Sequence, residues 1–258
     1  MHAHIVLAHP ESQSFNAHLA RVAQGALEGQ GWSASVSDLY AMAFDPCERA
    51  EHYVQRNQPA RFDVQLEQRH ASDRGTIPAA VLAEIANLDR ADLLILQYPM
   101  WWHLPPAMLK GWLDRVLIYG EVYASQKRFE KGRFVGRRAM LSLTVGTSPD
   151  TYAFDGRSGD IDLLLWPVNF SLAYVGYDVL SPFIAYGVEA GLRYSEESVV
   201  AARLKRVEED LRAALGQLDR RPAIPFNRMA EWGANGRIRP EAAVHSPFIR
   251  KRQVLALE

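Results

Sequence analysis

Hydrophobic and polar positions alternate along the chain with two different periods. Short apolar runs predict buried strands, and apolar residues three and four apart predict amphipathic helices between them. The strands are expected at residues 5–8, 34–37, 93–98 and 139–145 and near Val179. The helices are expected at residues 16–30, 78–88, 108–117 and 196–218 and within 161–175. This order predicts an α/β protein with a flavodoxin-like, doubly wound five-stranded parallel sheet and helices on both faces.

Two segments lie outside this pattern. Residues 48–76 are polar and lack apolar periodicity, so they form either an irregular excursion or a solvated helix packed loosely on the surface. Residues 219–258 contain four prolines and two glycines among isolated apolar residues. We therefore expect a domain over residues 1–218 and an irregular C-terminal extension over 219–258, which wraps around the domain or packs on a partner subunit.

Charge and composition narrow the class of protein. The formal net charge is -1 with a pI near 6.7, so there is no basic field for nucleic acid, and the arginines of residues 133–138 and 250–252 are interpreted as solvated surface. Cys47 is the only cysteine, and the first residues lack the features of a signal peptide. The apolar stretch 93–113 contains three prolines and Lys110, which argues against a membrane span. We expect a cytoplasmic protein without membrane insertion.

The loop after the first strand contains chemistry suited to a phosphate. Ligands of doubly wound sheets bind beyond the carboxyl ends of the strands. There the chain reads "AHPESQSFN" and has no glycine, so it matches neither the dinucleotide fingerprint nor the P-loop. Hydroxyls, a side-chain amide and a helix amino end can bind a phosphate without them. The alternative, slightly favoured by this loop alone, is a turn followed by a helix that Ser14 or Asn16 caps.

Two further loops follow strands at the same edge. After the third strand, "YPMWWHLPP" places aromatic rings and an imidazole between prolines, which makes a stiff wall for a flat heteroaromatic ligand; the alternative is that the tryptophans fill the core. After the fourth strand, "TVGTSPDTYAFDGRSGD" offers hydroxyls, a glycine that allows close approach at Gly146, and the phenol of Tyr152.

These motifs resemble one known family. "AHPESQSFN", "QYPMWWHLPPAMLKGWLDRV" and "TVGTSPDTYAFDGRSGDIDLLLWPVNF" are similar, in the same order over residues 4–180, to the flavodoxin-like NAD(P)H:quinone oxidoreductases, the DT-diaphorase group and its bacterial quinone reductase relatives. The resemblance implies a homodimer with its active site between two subunits and a flavin across the carboxyl edge of the sheet, FAD in preference to FMN. It also implies hydride transfer from NADH or NADPH, through the flavin, to a quinone or similar flat aromatic acceptor.

The resemblance also assigns roles to residues. Contacts to the pyrophosphate and ribityl chain fall to His9, Ser14, Phe15 and Asn16. Residues that line the isoalloxazine are Pro99, Met100, Trp102 and His103. Hydrogen bonds to the polar edge of the ring fall to Thr144, Gly146 and Thr147, with Tyr152 beside the pyrimidine carbonyl. The substrate pocket is expected to contain Trp102, Tyr123 and Tyr152.

Two departures affect the catalytic assignment. The family histidine that works with the tyrosine is Ser158 here, and the family phenylalanine against the flavin is His103. Serine donates a hydrogen bond but cannot hold a positive charge, so either His103 takes the role of general acid or Tyr152 acts alone. The catalytic candidates are therefore Tyr152, Ser158 and His103.

Other functions remain open from the sequence. Azo or nitro compounds are an alternative class of acceptor, because a shallow aromatic pocket discriminates weakly between flat molecules. A flavin-containing regulatory subunit of a membrane transport system and a one-electron carrier are further alternatives. No functional metal site is expected, because His2 and His4 alternate along a strand and the remaining histidines are scattered.

Overall fold

The structure is a computed structural model and describes residues 1–189, 195–246 and 248–251. Within these residues five strands form one parallel sheet in the order β2-β1-β3-β4-β5. The strands are β1 (His2–Leu7), β2 (Ser33–Asp38), β3 (Leu93–Pro99), β4 (Arg138–Thr144) and β5 (Asp178–Ala185). This order confirms the predicted flavodoxin-like, doubly wound sheet, whose strand order reverses beside β1.

Helices cover both faces of the sheet. They are α1 (Phe15–Glu28), α2 (Val64–Arg74), α3 (Ala79–Arg90), α4 (Ala107–Val116), α5 (Ile161–Tyr174) and α6 (Glu197–Gly216). Apolar residues of α1 and α6 form one core with the sheet, and those of α3, α4 and α5 form the other. Because β3 lies inside the sheet and every one of its residues is buried, its run is continuously apolar apart from one glutamine.

Helix α1 begins and ends through local hydrogen bonds. The hydroxyl of Ser14 accepts from the backbone N–H of Ala17 at 3.1 Å, which selects Ser14 over Asn16 as the N-cap. The helix ends at Glu28, before the expected stop at Gly31. Gly31 still turns the chain into β2, with φ of +82°.

Helix α2 is the element that apolar periodicity did not predict as a packed helix. Glu67 is 1 % exposed and accepts from Arg56 Nε at 2.9 Å and from the backbone N–H of Asn57 at 2.7 Å. The neighbouring side chain of Gln68 accepts from the backbone N–H of Tyr119 at 3.0 Å. Of the two alternatives for this segment, an irregular excursion describes residues 48–63, apart from a short 3-10 helix at Ala50–His52. A loosely packed, solvated helix was wrong for α2, because this helix is attached to the domain through buried polar groups that periodicity does not count.

The C-terminal extension pairs with the edge of the sheet. The backbone N–H of Ile224 donates to the carbonyl of Val179, and that of Ser181 donates to the carbonyl of Pro222, both at 2.8 Å. An antiparallel bridge at Ala223 thereby covers the free edge of β5. Residues 252–258 of the extension lie outside the described residues, and the domain boundary at 218 stays a prediction.

The basic segment 133–138 is not simply solvated surface. Arg133 donates to Asp89 Oδ2 and to Glu121 Oε1, both at 2.7 Å, and its side chain is 21 % exposed. The interpretation as free surface charge was wrong for Arg133, which joins α3 to the segment after α4.

Among the described residues, no helix is both long and apolar enough to cross a bilayer.

Candidate functional site

Loops from four strands meet at the carboxyl edge of the sheet. They follow β1, β3, β4 and β5, and every predicted site residue except Tyr123 lies in the first three of these loops, at the strand ends that lead into them or in the first turn of α1. The backbone N–H of Met100 donates to the carbonyl of Thr144 at 3.0 Å, so the loops after β3 and β4 start side by side. The three loops that the sequence analysis proposed as ligand-binding therefore lie at the same edge of the sheet.

The loop after β1 ends at a helix terminus with unused donors. The hydroxyl of Ser14 accepts from the backbone N–H of Ala17, and the carbonyl of Ser14 accepts from the backbone N–H of His18 at 2.9 Å. The first amides of a helix have no partner within the helix, so those of Phe15 and Asn16 stay available to an anion. The loop thus presents two backbone donors and the positive end of the helix dipole.

His9 presents a third donor beside this terminus. Its Nδ1 lies 3.0 Å from the backbone N–H of Glu11 and accepts from it, which assigns the ring proton to Nε2. Burial lowers the pKa of His9, so the ring is neutral at pH 7 and donates through Nε2. The ring also meets Trp101 edge-on, with centroids 5.9 Å apart, which joins the loops after β1 and β3.

The side chain of Asn16 points into the protein and not to the open edge. Its Nδ2 donates to Thr144 Oγ1 at 2.9 Å, and its Oδ1 accepts from Gln97 Nε2 at 2.9 Å. Asn16 and Thr144 are each 4 % exposed, and Gln97 is fully buried. Asn16 can therefore reach a ligand through its backbone N–H, while its carboxamide ties α1 to β3 and β4.

The loop after β3 is a tight turn that displays aromatic groups. Trp101 and Leu104 exchange two backbone hydrogen bonds of 3.0 and 3.1 Å, and between them Trp102 and His103 have φ of +52° and +64°. Positive φ at both central residues is typical of a type I′ turn, which usually requires glycine or asparagine. The indole of Trp102 is 93 % exposed. This turn exposes a large flat ring to solvent. The alternative interpretation, in which this tryptophan fills the core, would have required a buried ring.

The loop after β4 folds around its own hydroxyls. Thr147 Oγ1 and Thr151 Oγ1 are 2.6 Å apart, and the backbone N–H of Ser158 donates to the carbonyl of Thr151 at 2.8 Å. Ser158 is thus held next to the residue that precedes Tyr152. The Tyr152 ring packs against the core with its centroid 6.2 Å from that of Tyr186. The structure brings Tyr152 and Ser158 into one loop and leaves His103 on the separate turn after β3.

A cavity of about 670 Å³ adjoins this loop and contains residues that sequence reasoning missed. Gly146 and Thr147 line it together with Arg157, Tyr186 and Arg203. Burial raises the pKa of the Tyr186 phenol, which keeps it a neutral donor. Tyr186 and Gly187 follow β5 directly, so inspection of the fourth strand end at this edge would have found them.

Tyr123 lies in a different depression. An apolar groove of about 620 Å³ runs between α2, α4 and α5 and is lined by Tyr123, Leu104, Pro105, Phe170 and Tyr174. The phenol of Tyr123 accepts from Gln65 Nε2 at 3.2 Å. None of the predicted flavin contacts and neither Trp102 nor Tyr152 lines this groove. Within one chain, the three expected pocket residues are therefore not assembled.

Within residues 1–189, 195–246 and 248–251, no group of three or more histidine, cysteine, aspartate or glutamate side chains is arranged to hold a metal ion. Cys47 is exposed and free.

Comparison with known proteins agrees with the fold. A family model described as "Flavodoxin-like fold" matches residues 1–211. The chain is 36% identical over 206 residues to NAD(P)H dehydrogenase [quinone] 1 of Cavia porcellus, with 79% of this chain and 75% of the relative covered. It is 35% identical to ribosyldihydronicotinamide dehydrogenase [quinone] of Mus musculus, with 79% and 89% covered.

Solved structures give the same picture. A Klebsiella pneumoniae protein assigned as a quinone reductase superposes with a TM-score of 0.82 at 32% identity, with 93% of this chain and 95% of that chain covered. An NAD(P)H:quinone oxidoreductase from Methanothermobacter marburgensis superposes with a TM-score of 0.62 at 26% identity, with 85% and 96% covered.

Proposed function

Because the chain belongs to the flavodoxin-like family of NAD(P)H:quinone oxidoreductases, we propose that it binds a flavin at the carboxyl edge and transfers hydride from NADH or NADPH to a quinone. The observation that carries this proposal is the meeting of three loops at that edge, with unused donors on one side and an exposed indole on the other. When bound, the flavin supplies the redox chemistry: it accepts hydride from the nicotinamide and gives two electrons to the acceptor.

The residues at the edge fit a flavin in shape and polarity. Trp102 offers an exposed flat surface for the ring system, and Met100 and His103 belong to the same segment after β3, which ends at the buried Pro99. Gly146 leaves open space on the opposite side, because an added Cβ there would meet nothing closer than 3.8 Å. Thr144 and Thr147 supply hydroxyls for the polar edge of the ring.

FAD is our choice of flavin over FMN. The amides of Phe15 and Asn16, at the amino end of a 14-residue helix, together with His9 Nε2, suit a pyrophosphate without a lysine or a glycine-rich loop. The cavity beside Thr147 extends past Arg157 to Arg203 and offers room beyond the ring for an adenosine half. FMN would leave this cavity unused.

Tyr152 is the residue that we propose to stabilise negative charge. Its phenol belongs to the loop that lies against the ring site, and a fixed donor aimed at a developing anion is worth more at a partly dry site than in water. The backbone N–H of Ser158 donates to the carbonyl of Thr151, which directly precedes this tyrosine, and the Ser158 hydroxyl supplies a neutral donor. His103 lies on the turn after β3, so its role is contact with the ring system.

Quinones are the proposed acceptors, since the relatives that match over most of their length are quinone dehydrogenases by name. If nicotinamide and quinone occupy one exposed face in turn, the kinetics are ping-pong. Azo compounds are not favoured, because the azoreductase structures share only 12% and 16% identity with this chain and so indicate the fold alone. Nitro compounds and a regulatory role are not favoured, because the relatives that match over most of their length are named as quinone dehydrogenases.

A homodimer completes the substrate pocket in this proposal. Tyr123 is separated from Tyr152 within one chain, and apolar side chains protrude around the site, including Trp102, Leu104 at 56 % and Phe154 at 86 % exposure. A second copy laid on the groove that Tyr123 lines would cover this apolar surface.

We place the enzyme in the cytoplasm on the strength of its single cysteine and near-neutral charge.

Steady-state assays test the proposal. The purified protein, reconstituted separately with FAD and with FMN, is mixed with a benzoquinone and with NADH, NADPH or N-ribosyldihydronicotinamide as donor. We expect parallel-line kinetics with FAD and one or more donors, and no comparable rate with an azo dye. Equal rates with quinone and azo dye would remove the quinone assignment, and no bound flavin would remove the proposal.

A further inference from the structure

Gln97 belongs to a buried hydrogen-bond chain that the proposed function leaves unexplained. Its Nε2 donates to Asn16 Oδ1 and Asn16 Nδ2 donates to Thr144 Oγ1, each at 2.9 Å. The chain leads from the middle of the sheet to the last residue of β4, at the edge where we place the flavin ring. All three side chains are buried, and their polar atoms bond to one another directly.

The hydrogen bonds that link Gln97, Asn16 and Thr144 could run in either direction. The buried atom that each direction leaves unpaired indicates which one is favoured. An amide can be turned over, so the reverse order would have Thr144 donate to Asn16 and Asn16 donate to Gln97. As assigned, the unpaired buried atom is the acceptor Gln97 Oε1. In reverse it would be an NH₂ group with two unpaired hydrogens. Unpaired buried donors are rarer in proteins than unpaired carbonyl oxygens, so the assigned direction is the favoured one.

This direction determines what Thr144 offers a ligand. A hydroxyl carries one hydrogen, and Thr144 Oγ1 already accepts the hydrogen of Asn16. Thr144 makes no other side-chain hydrogen bond to the described residues. Its own hydrogen is therefore not used by any described residue, and Thr144 is the last residue of β4, where the strand meets the carboxyl edge.

We propose that Gln97 is a positioning residue: by orienting the carboxamide of Asn16, it makes the Thr144 hydroxyl a donor to an acceptor atom of the bound flavin. The inference rests on the proposed function, because it assumes a flavin ring beside Thr144. It adds Gln97, which lies one layer below the site, and it changes the role of Asn16 from direct side-chain contact to relay.

A double-mutant cycle on flavin affinity tests the relay. Gln97→Met removes the donor with little change of shape, and Thr144→Val removes the hydroxyl. Each single change is expected to weaken flavin binding about two- to tenfold, the value of one neutral hydrogen bond, and to move the visible absorption bands of the bound flavin. Because both act on the same hydrogen bond, the double variant should bind no more weakly than Thr144→Val alone.

Ser142→Ala is the matched control. Ser142 pairs in register with Gln97, is fully buried and has an unpaired hydroxyl, but it does not belong to the relay. It should leave affinity and spectrum unchanged. Fully additive effects of the two relay changes, or wild-type affinity and spectrum in Gln97→Met, would overturn the proposal.

Gln97→Glu gives a second readout if Gln97→Met does not fold. A neutral glutamic acid donates to Asn16 and keeps the native direction, whereas an ionised carboxylate only accepts and turns Asn16 over, so that Thr144 donates inwards. Flavin affinity of this variant should fall as pH rises through the carboxyl pKa, with no such fall in Ser142→Ala. A profile parallel to that of the control would contradict the relay. Absence of flavin binding by the wild-type protein would instead remove the proposed function itself.

Discussion

Trp102→Gly should make the flavin-free protein more stable and the flavin complex weaker. A non-glycine residue in the left-handed region costs about 1–2 kcal/mol, and glycine avoids that cost but loses about 0.5–1 kcal/mol in freedom on folding. Since 93 % of the Trp102 side chain is exposed, its removal sacrifices almost no packing. The net gain is between about 0 and 1.5 kcal/mol, or up to roughly 6 °C in melting temperature for a chain of this size.

The same change should cost binding energy. Loss of one aromatic contact is worth about 0.5–1.5 kcal/mol, so the flavin dissociation constant should rise about two- to tenfold. Thermal unfolding of the flavin-free protein and flavin fluorescence titration measure the two effects separately. Opposite signs would indicate that the turn retains strain in order to present the indole.

Trp101→Gly is the control for this reasoning. Trp101 is the same residue type, next in the chain, and is not among the residues with positive φ. It is 42 % exposed and contacts the His9 ring, so glycine there relieves no strain and loses a contact. We expect destabilisation by about 1–2 kcal/mol. If Trp102→Gly lowers the melting temperature as Trp101→Gly does, the strain argument is refuted.

Three further predictions concern buried or catalytic groups. Burial lowers the pKa of His4 from 6.5 to about 4, so between these pH values only the unfolded chain gains the proton. Acidification from pH 7 to 4 should therefore destabilise the folded state by about 3 kcal/mol, and urea unfolding of His4→Val should lack this part of the pH dependence. Gly111→Ala should unfold at least 5 °C lower, because the added Cβ would overlap the backbone of Pro46; Gly25→Ala, where nothing lies within 4 Å, should not unfold lower. Tyr152→Phe should retain flavin but lose about 1–3 kcal/mol of transition-state stabilisation, seen as a five- to 150-fold slower reduction by NADPH in stopped flow; a wild-type rate would exclude a role for the phenol.

The sheet was predictable because its strands are apolar and its helices are periodic. The continuous run of β3 and the spaced apolar residues of α4 determine the alternation of strand and helix, and the loops at the carboxyl edge follow from it. Helix α2 was not predicted as a packed helix because it buries the polar side chains of Glu67 and Gln68. Their interior position follows from their partners, Arg56 and the backbone of Tyr119, which the sequence pattern does not show.

The finer geometry of the site depended on contacts between distant parts of the chain. The letters "WWH" do not reveal that two successive residues have positive φ, because the turn is set by hydrogen bonds across Trp101 and Leu104. Asn16 reads as a ligand contact or a cap, and only its position opposite Gln97 and Thr144 shows that its side chain faces inwards. The location of Tyr123 in a separate groove likewise requires the packing of α2, α4 and α5.

The most direct test of the central claim is an anaerobic absorbance experiment on the purified protein reconstituted with FAD. Excess NADPH or NADH should bleach the oxidised flavin band within the dead time of hand mixing, and one equivalent of benzoquinone per flavin should restore it after the excess donor is removed. A band that neither donor bleaches, or a bleached band that quinone does not restore, would contradict hydride relay through a flavin at this edge of the sheet.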